Sequence, residues 1–290
     1  MLTNKKISAE RYQKYIIFSI ICLALIILTG AAVRLSESGL GCEDWPKCEE
    51  DKFVPEWQLN TWIEFGNRLL SGLVAVAVVI SVLGAYKRTP KDSKIIKLAW
   101  GLVVGVIGQI VLGGVTVLLE LHPAVVGAHF ILSMVLLFNA VALYVNNEPR
   151  LIEVIPEISK KVSGAFITIA SMVLLTGVIV TGSGPNSGDS RASRLGFDLE
   201  TVSRIHGATV WIFLALTIWI SYQFEKHADS KNKRITRFLS LLVLLQGFVG
   251  YLQYNLGVPP SIVAIHILGA TLIWLTATFL YFRLCSLDKN

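Results

Sequence analysis

Eight long apolar segments limit what this chain can fold into more than any other feature of its sequence. Each is close to the roughly 20 residues that a helix needs to cross about 30 Å of hydrocarbon. Only 16% of the residues are charged and 53% are hydrophobic, whereas soluble domains carry about 25% charged residues. We therefore predict an all-α membrane protein with eight transmembrane helices. The predicted spans are 15–34, 62–86, 95–119, 123–146, 161–183, 201–223, 235–256 and 261–284.

The charges of the connecting segments predict the orientation of the chain. The N-terminal segment and the second, fourth and sixth loops are rich in lysine and arginine, and the loops between them are acidic or nearly neutral. Basic loops collect on the cytoplasmic side, so we expect a multi-pass protein of the cell membrane with both termini in the cytoplasm. The stretch "LTGAAVRLSESG" offers no clear signal-peptide cleavage site, so the first span is expected to stay in the lipid bilayer. The net charge of +6 follows from the basic loops and does not indicate a nucleic-acid partner.

The chain is internally duplicated. An offset of 137 residues aligns His129 with His266, and an offset of 139 residues aligns Asn67 with His206. The first offset also aligns three further pairs of identical residues, which are Gln109 with Gln246, Gly113 with Gly250, and Pro123 with Pro260. The segments "LTGAAV" and "LTGVIV" begin the two halves. We therefore expect two tandem, pseudo-symmetric four-helix bundles, residues 1–150 and residues 151–290, each able to hold a cofactor in its core.

Three of the five histidines lie one or two turns inside apolar helices. Ionisable side chains are costly there and need partners, and three at matching depth on separate helices favour metal or heme binding over helix packing. The second half presents His206 and His266, the arrangement of bis-histidine heme ligation. The first half presents His129, with Asn67 where the partner histidine would be. His122 is an alternative ligand to His129, and His227 lies in a basic loop, where we expect it to be solvated.

The second span begins with polar residues that a membrane helix should avoid. Glu64, Asn67 and Arg68 share one helix face, because residues three and four apart are neighbours on a helix. Two interpretations remain open from the residues. Glu64 and Arg68 form an ion pair at the membrane interface without chemistry, or, if the first half holds a heme, Glu64 lies beside the porphyrin rim and acts there as an acid–base group.

Two cysteines, Cys42 and Cys48, lie in the first outer loop, in "CEDWPKC". A disulfide persists outside the cytoplasm, so we predict that they are bonded to each other. Two free thiols or a pair of metal ligands are the alternatives. The glycines of the third span, including Gly113 and Gly114, are interpreted as allowing close helix packing.

These residues resemble the heme A synthase family over nearly the whole chain. "SGLGCEDWPKC" and "IEFGNR" are fairly specific motifs, and "TGSGPNSGD", "RLGFD" and "SRIHG" look like the actinobacterial-type branch. The resemblance implies an oxidoreductase that converts the C8 methyl group of heme O to a formyl group, giving heme A for cytochrome oxidase. It further implies that His206 and His266 ligate a resident heme b, that the first half holds the substrate heme at His129, and that Glu64 is catalytic.

The sequence departs from the family pattern at Asn67, where many members have a histidine. A substrate iron that is five-coordinate, or that bears water opposite His129, follows from this departure, and so does a degenerate site. Arg68 and Arg204 are candidates to bind heme propionates. Heme O synthase is an expected partner, together with an unidentified electron donor.

Two other classes of protein remain open at this point. One is a membrane b-type cytochrome that passes electrons, for example from quinol, without modifying heme. The other is a transporter with a duplicated fold.

Overall fold

The computed structural model describes residues 6–42, 44–49, 54–148, 160–226 and 230–286. The predicted boundary between residues 150 and 151, and His227, lie outside these ranges. The described residues form eight helices and two short strands. The helices are α1 (Ala9–Leu35), α2 (Leu59–Lys87), α3 (Ser93–Leu118), α4 (Pro123–Asn147), α5 (Lys160–Ser183), α6 (Leu199–Glu225), α7 (Ser230–Asn255) and α8 (Pro260–Ser286), and the strands are β1 (Ile7–Ser8) and β2 (Arg88–Thr89).

All eight helices are long and apolar enough to cross a membrane, so the predicted all-α, eight-span fold class is confirmed. The predicted ends differ from the observed ones by a few residues. The largest difference is at α1, which begins at Ala9 because Ser8 caps it, its side chain accepting a hydrogen bond from the Arg11 N–H. α4 and α8 each begin with a proline, which lacks the N–H that a helix start would leave unpaired.

The described helices form two compact units of four helices each. In the first unit, α1 packs against α2 and α4, and α3 packs against the same two helices, so the four helices form a closed ring. The segment Ser187–Ser193 also belongs to this unit, and the Gly188 carbonyl accepts a hydrogen bond of 2.9 Å from the Gly39 N–H. In the second unit, α5 and α7 each pack against α6 and α8 in the same way. Each unit is therefore a four-helix bundle.

A buried polar network ties the two ends of the first unit's chain together. The two residues of β1 pair in parallel with β2. Arg88 of β2 is buried and donates to the Asn147 side chain at 2.6 Å, and Asn147 donates in turn to the Ala9 carbonyl at 2.9 Å. These bonds fix the start of α1 and the ends of α2 and α4 relative to one another, because a buried polar group left unpaired costs about 1–3 kcal/mol.

Candidate functional site

The second unit contains a pair of facing imidazoles, which we call the second site. His206 lies about two turns into α6 and His266 about two turns into α8. Their ring centroids are 6.5 Å apart and the ring planes differ by 65°. Two imidazole nitrogens bound at about 2.0–2.1 Å to one metal ion on opposite sides would place the ring centroids roughly 6.4 Å apart. The spacing therefore fits a single iron between the two rings.

The hydrogen bonds of His206 leave one of its nitrogens available to a metal. The Thr176 hydroxyl donates to the Met172 carbonyl at 2.8 Å and lies 3.0 Å from His206 Nδ1. When the hydroxyl donates to that carbonyl, its oxygen accepts from Nδ1–H, and the lone pair of Nε2 is then free. An imidazole that binds a metal through one nitrogen almost always donates the other N–H to such a partner. His266 Nδ1 is buried and has no hydrogen-bond partner among the described residues.

A glycine on the neighbouring helix faces each of the three histidines. A β-carbon at Gly177 on α5 would lie 3.2 Å from Cε1 of His206, and one at Gly250 on α7 would lie 3.1 Å from Cε1 of His266. In the first unit a β-carbon at Gly113 on α3 would lie 3.3 Å from Cε1 of His129. These separations are closer than ordinary contacts, so the absence of a side chain at the glycine lets each ring lie against its neighbouring helix.

The first unit repeats this arrangement with a different residue at one position. We call Glu64, Asn67, Arg68 and His129 the first site. The Gln109 side chain donates to the His129 carbonyl at 3.1 Å, as Gln246 does to the His266 carbonyl at 2.7 Å. His129 Nδ1, like His266 Nδ1, is buried without a partner among the described residues. The repeat predicted from the sequence therefore extends to the surroundings of the histidines. His122 is an exposed residue at the N-cap of α4, whereas the contacts that His266 makes are repeated at His129.

Asn67 occupies the position that His206 has in the second unit. The Thr29 hydroxyl lies 2.8 Å from Asn67 Oδ1 and donates to it, as Thr176 contacts His206. A β-carbon at Gly30, however, would have no atom within 4 Å, whereas one at the matching Gly177 would touch the imidazole. The shorter asparagine side chain leaves this space open.

Glu64 and Arg68 form a buried ion pair. Glu64 is 5% exposed, and Arg68 Nε and Nη2 donate to its Oε1 at 3.1 Å and 2.6 Å. The offset of 139 residues aligns Glu64 with Ser203 and Arg68 with Gly207. The pair is therefore a feature of the first unit that the second unit does not repeat.

The ion pair also binds the loop that carries the two cysteines. We call residues 42–48 the disulfide loop; residue 43 is not described. The Cys42 N–H donates to Glu64 Oε2 at 2.7 Å. Arg68 donates to three loop carbonyls, those of Cys42 at 3.2 Å, Asp44 at 2.9 Å and Lys47 at 3.0 Å. The predicted disulfide is confirmed, since Cys42 and Cys48 are bonded and their Cα atoms are 4.4 Å apart.

Two glycines allow the disulfide loop to lie close to the helices. A β-carbon at Gly41 would lie 2.7 Å from the Asn60 carbonyl oxygen, next to the start of α2. A β-carbon at Gly114 on α3 would lie 2.8 Å from the Trp45 ring. Because Gly113 on the same helix contacts His129, the disulfide loop and this histidine pack against adjacent residues of α3.

Arg204 lies on the exposed surface of α6. Its guanidinium forms an ion pair with Glu200, one helical turn earlier, and the side chains are 79% and 54% exposed. At the start of the same helix Asp198 accepts hydrogen bonds from the Thr201 hydroxyl and N–H, which hold the pKa of this carboxyl below its usual value. The ion pair between Arg204 and Glu200 can be exchanged for another partner at little cost, because exposed ion pairs contribute only about 0–1 kcal/mol.

Several residues of the two sites were not singled out from the sequence. The prediction assigned Gly113 and Gly114 to helix packing and did not use Thr29, Thr176 or Trp45. The signal was present in the repeat, because "LTGAAV" and "LTGVIV" contain the matching threonines and glycines. Trp45 gives no such signal, since its contact with α3 depends on the fold of the disulfide loop.

The fold and the two sites together show which class of protein this chain belongs to. The chain is a polytopic helical membrane protein of two four-helix units, and the second holds two half-buried imidazoles at the spacing of a bis-histidine metal site. Heme suits the donors, because imidazole nitrogen binds heme iron and the 6.5 Å between the two ring centroids leaves room for one iron.

The sequence profile of the cytochrome oxidase assembly protein family (COX15-CtaA) matches residues 13–59 and 54–185. The chain belongs to this family, which confirms the predicted membership. The match does not specify a branch, so the actinobacterial-type resemblance stays a prediction.

Three relatives illustrate the similarity, and each is named heme A synthase. That of Symbiobacterium thermophilum is 33% identical over 113 residues, which cover 39% of this chain and 37% of the relative. That of Shewanella oneidensis is 28% identical over 180 residues, covering 56% and 53%. That of Geobacillus thermodenitrificans is 27% identical over 135 residues, covering 44% and 42%. The matches thus span about half or less of the length of these relatives.

Proposed function

We propose that the chain is a heme A synthase, which oxidises the C8 methyl group of heme O to the formyl group of heme A for cytochrome oxidase. The observation that carries the proposal is the difference between two otherwise repeated units. The second unit has two facing imidazoles, whereas the first has one imidazole, an asparagine and a buried carboxylate. One unit is suited to hold a heme permanently, and the other to bind a heme as substrate and act on it. The names of the matched relatives support this assignment.

In this proposal the second unit, within residues 151–290, holds a resident heme b between His206 and His266. Heme b held by two imidazoles supplies a redox centre that gains and loses one electron at a time. Thr176 keeps the proton of His206 on Nδ1, so that Nε2 faces the metal. Gly177 and Gly250 let the two rings approach α5 and α7 closely. Arg204, which is exposed and weakly paired, is the candidate to bind a propionate of this heme.

The first unit, within residues 1–150, binds heme O as substrate through His129. Glu64 is the acid–base group of this site. It accepts a proton as the methyl group is oxidised, or promotes the loss of water that turns the hydrated aldehyde into the formyl group. Arg68 is a positioning residue, because five donated hydrogen bonds already join it to Glu64 and the disulfide loop. Its proposed contact with a heme propionate requires one of these bonds to be exchanged.

The setting of this reaction is also a proposal. The enzyme lies in the cell membrane with both termini in the cytoplasm and receives heme O from heme O synthase. Its proposed oxidant is dioxygen, which supplies the formyl oxygen and is reduced to water with electrons from a donor that the sequence does not identify. The electron-carrying b-type cytochrome is not favoured by the relatives' names, and it gives the buried carboxylate of the first unit no role.

The experiment that tests the proposal compares Glu64→Gln with Glu200→Gln in cells supplied with heme O. Glutamine at position 64 still accepts a hydrogen bond from the Cys42 N–H but cannot exchange protons as a carboxylate does. We expect this variant to retain heme b and to accumulate heme O or its alcohol, with heme A formation reduced about 10²-fold or more. Glu200→Gln, on the exposed surface of α6, should make heme A as the unchanged chain does. Equal heme A formation by both variants would contradict the role of Glu64.

A further inference from the structure

We infer that the first site binds a small neutral ligand, of the size of a diatomic gas, at the substrate iron on the side opposite His129. This inference rests on the proposed function, since it requires a heme in the first unit. It concerns the ligands of that heme rather than its oxidation.

The first unit has Asn67 where the second unit has the proposed heme ligand His206. The threonine and the glycine that face this position are the same in both units. In the second unit the Thr176 hydroxyl contacts the His206 ring at 3.0 Å, and Gly177 faces the same ring. In the first unit Thr29 and Gly30 are the matching residues of α1, and the Thr29 hydroxyl contacts the Asn67 side chain at 2.8 Å. The helix, the threonine and the glycine are therefore repeated, and only the imidazole is missing.

Asn67 does not replace this imidazole as a ligand. An amide oxygen is a poor ligand for heme iron, which proteins bind through imidazole, thiolate, thioether or phenolate groups. Its Oδ1 also accepts the hydrogen bond of Thr29, which holds the side chain towards α1. No atom of the described residues lies within 4 Å of a β-carbon built at Gly30. The space that the ring of His206 fills beside Gly177 is thus left open beside Gly30.

The residues around this space are suited to a small polar ligand. Asn67 has an amide N–H₂ group that can donate, and Thr29 has a hydroxyl that can donate or accept. Both side chains are half-buried, so a bound ligand would be partly shielded from solvent and lipid. His129 lies against α3 at Gly113 and supplies the imidazole of the opposite side. The first site therefore combines one protein ligand with one exchangeable position, whereas both axial positions of the second site are filled by the protein.

Carbon monoxide is the probe that separates the two kinds of site, because it binds ferrous heme only where an axial position is open or its ligand can leave. The full chain in lipid nanodiscs is loaded with heme to two equivalents, reduced and titrated with carbon monoxide, while optical and resonance Raman spectra are recorded. We expect one of the two hemes to bind carbon monoxide. Asn67→His should raise the apparent dissociation constant at least about tenfold, because the new imidazole must leave first. Asn67→Ala is the matched variant, and it should still bind carbon monoxide but with a shifted C–O stretching frequency, since the amide donor is lost.

Three results would overturn the inference. The first is two six-coordinate hemes in the unchanged chain that bind no carbon monoxide. The second is equal carbon monoxide binding by the unchanged chain and Asn67→His. The third is uptake of only one heme, lost on replacement of His206, which would overturn the proposed substrate site as well. If the chain binds carbon monoxide as expected but never converts heme O, the inference holds and only the proposed function fails.

Discussion

Replacing Arg68 by methionine should loosen the disulfide loop. The guanidinium donates two hydrogen bonds to Glu64 and three to the carbonyls of Cys42, Asp44 and Lys47. Methionine keeps much of the apolar stem but leaves the carboxylate buried with only the backbone N–H groups of Cys42 and Gly41 as hydrogen-bond donors among the described residues. Removing one member of a buried ion pair costs about 3–5 kcal/mol. Because the Arg68 side chain is 21% exposed, we expect the lower end of that range, about 3 kcal/mol, which corresponds to a roughly 150-fold larger population of the open loop.

Hydrogen–deuterium exchange measures this change directly at the Cys42 amide, whose N–H is bonded to Glu64 Oε2. The Arg68→Met variant should exchange this amide about 10²-fold faster than the unchanged chain. Arg204→Met is the matched control, because Arg204 also pairs with a glutamate one turn earlier but is 79% exposed, where an ion pair contributes about 0–1 kcal/mol. Two results would refute the reasoning that burial makes the Glu64–Arg68 pair strong. One is unchanged exchange at Cys42 in Arg68→Met, and the other is an equal local change around Arg204 in the control.

Three further predictions concern the sites. Gly177→Ala should displace the His206 ring, whose Cε1 would lie 3.2 Å from the new β-carbon, and alter the spectrum of the proposed bis-histidine heme, whereas Gly30→Ala should leave that spectrum unchanged. Thr176→Val should remove the hydrogen bond to Nδ1 and weaken heme binding about 10–100-fold, as measured by heme transfer to an acceptor protein; unaltered transfer would contradict the assigned role of the hydroxyl. Reducing the disulfide should speed proteolysis of the disulfide loop more in Arg68→Met than in the unchanged chain, because Arg68 holds the loop independently of the disulfide; equal rates would count against that.

The fold could be predicted almost completely from the sequence. Hydropathy locates each span because a helix in lipid must be apolar along its full length. The same signal fails at the polar ends of the helices. The first turns of α1, "AERYQK", carry little hydropathy, and their helical state depends on the cap at Ser8 and on the pairing of β1 with β2.

The site could be predicted only in part. His129, His206 and His266 are conspicuous because they are polar residues in apolar helices, and the repeat places His206 and His266, whose rings face each other, in the same half. The relation between Glu64 and Arg68 follows from their spacing of four residues. The bond from the Cys42 N–H to Glu64 could not be predicted, because it joins residues 22 positions apart and exists only once the disulfide loop has folded over the start of α2.

Chromatography with mass spectrometry of the hemes extracted from the purified chain measures the proposed conversion of heme O to heme A. The protein is produced in cells that make heme O but lack another enzyme for heme A, and it is supplied with an electron donor. We expect heme b, held by the second unit, together with heme A or its alcohol precursor. Heme b alone, with the supplied heme O recovered unchanged, would contradict the proposed conversion and favour a membrane cytochrome that only carries electrons.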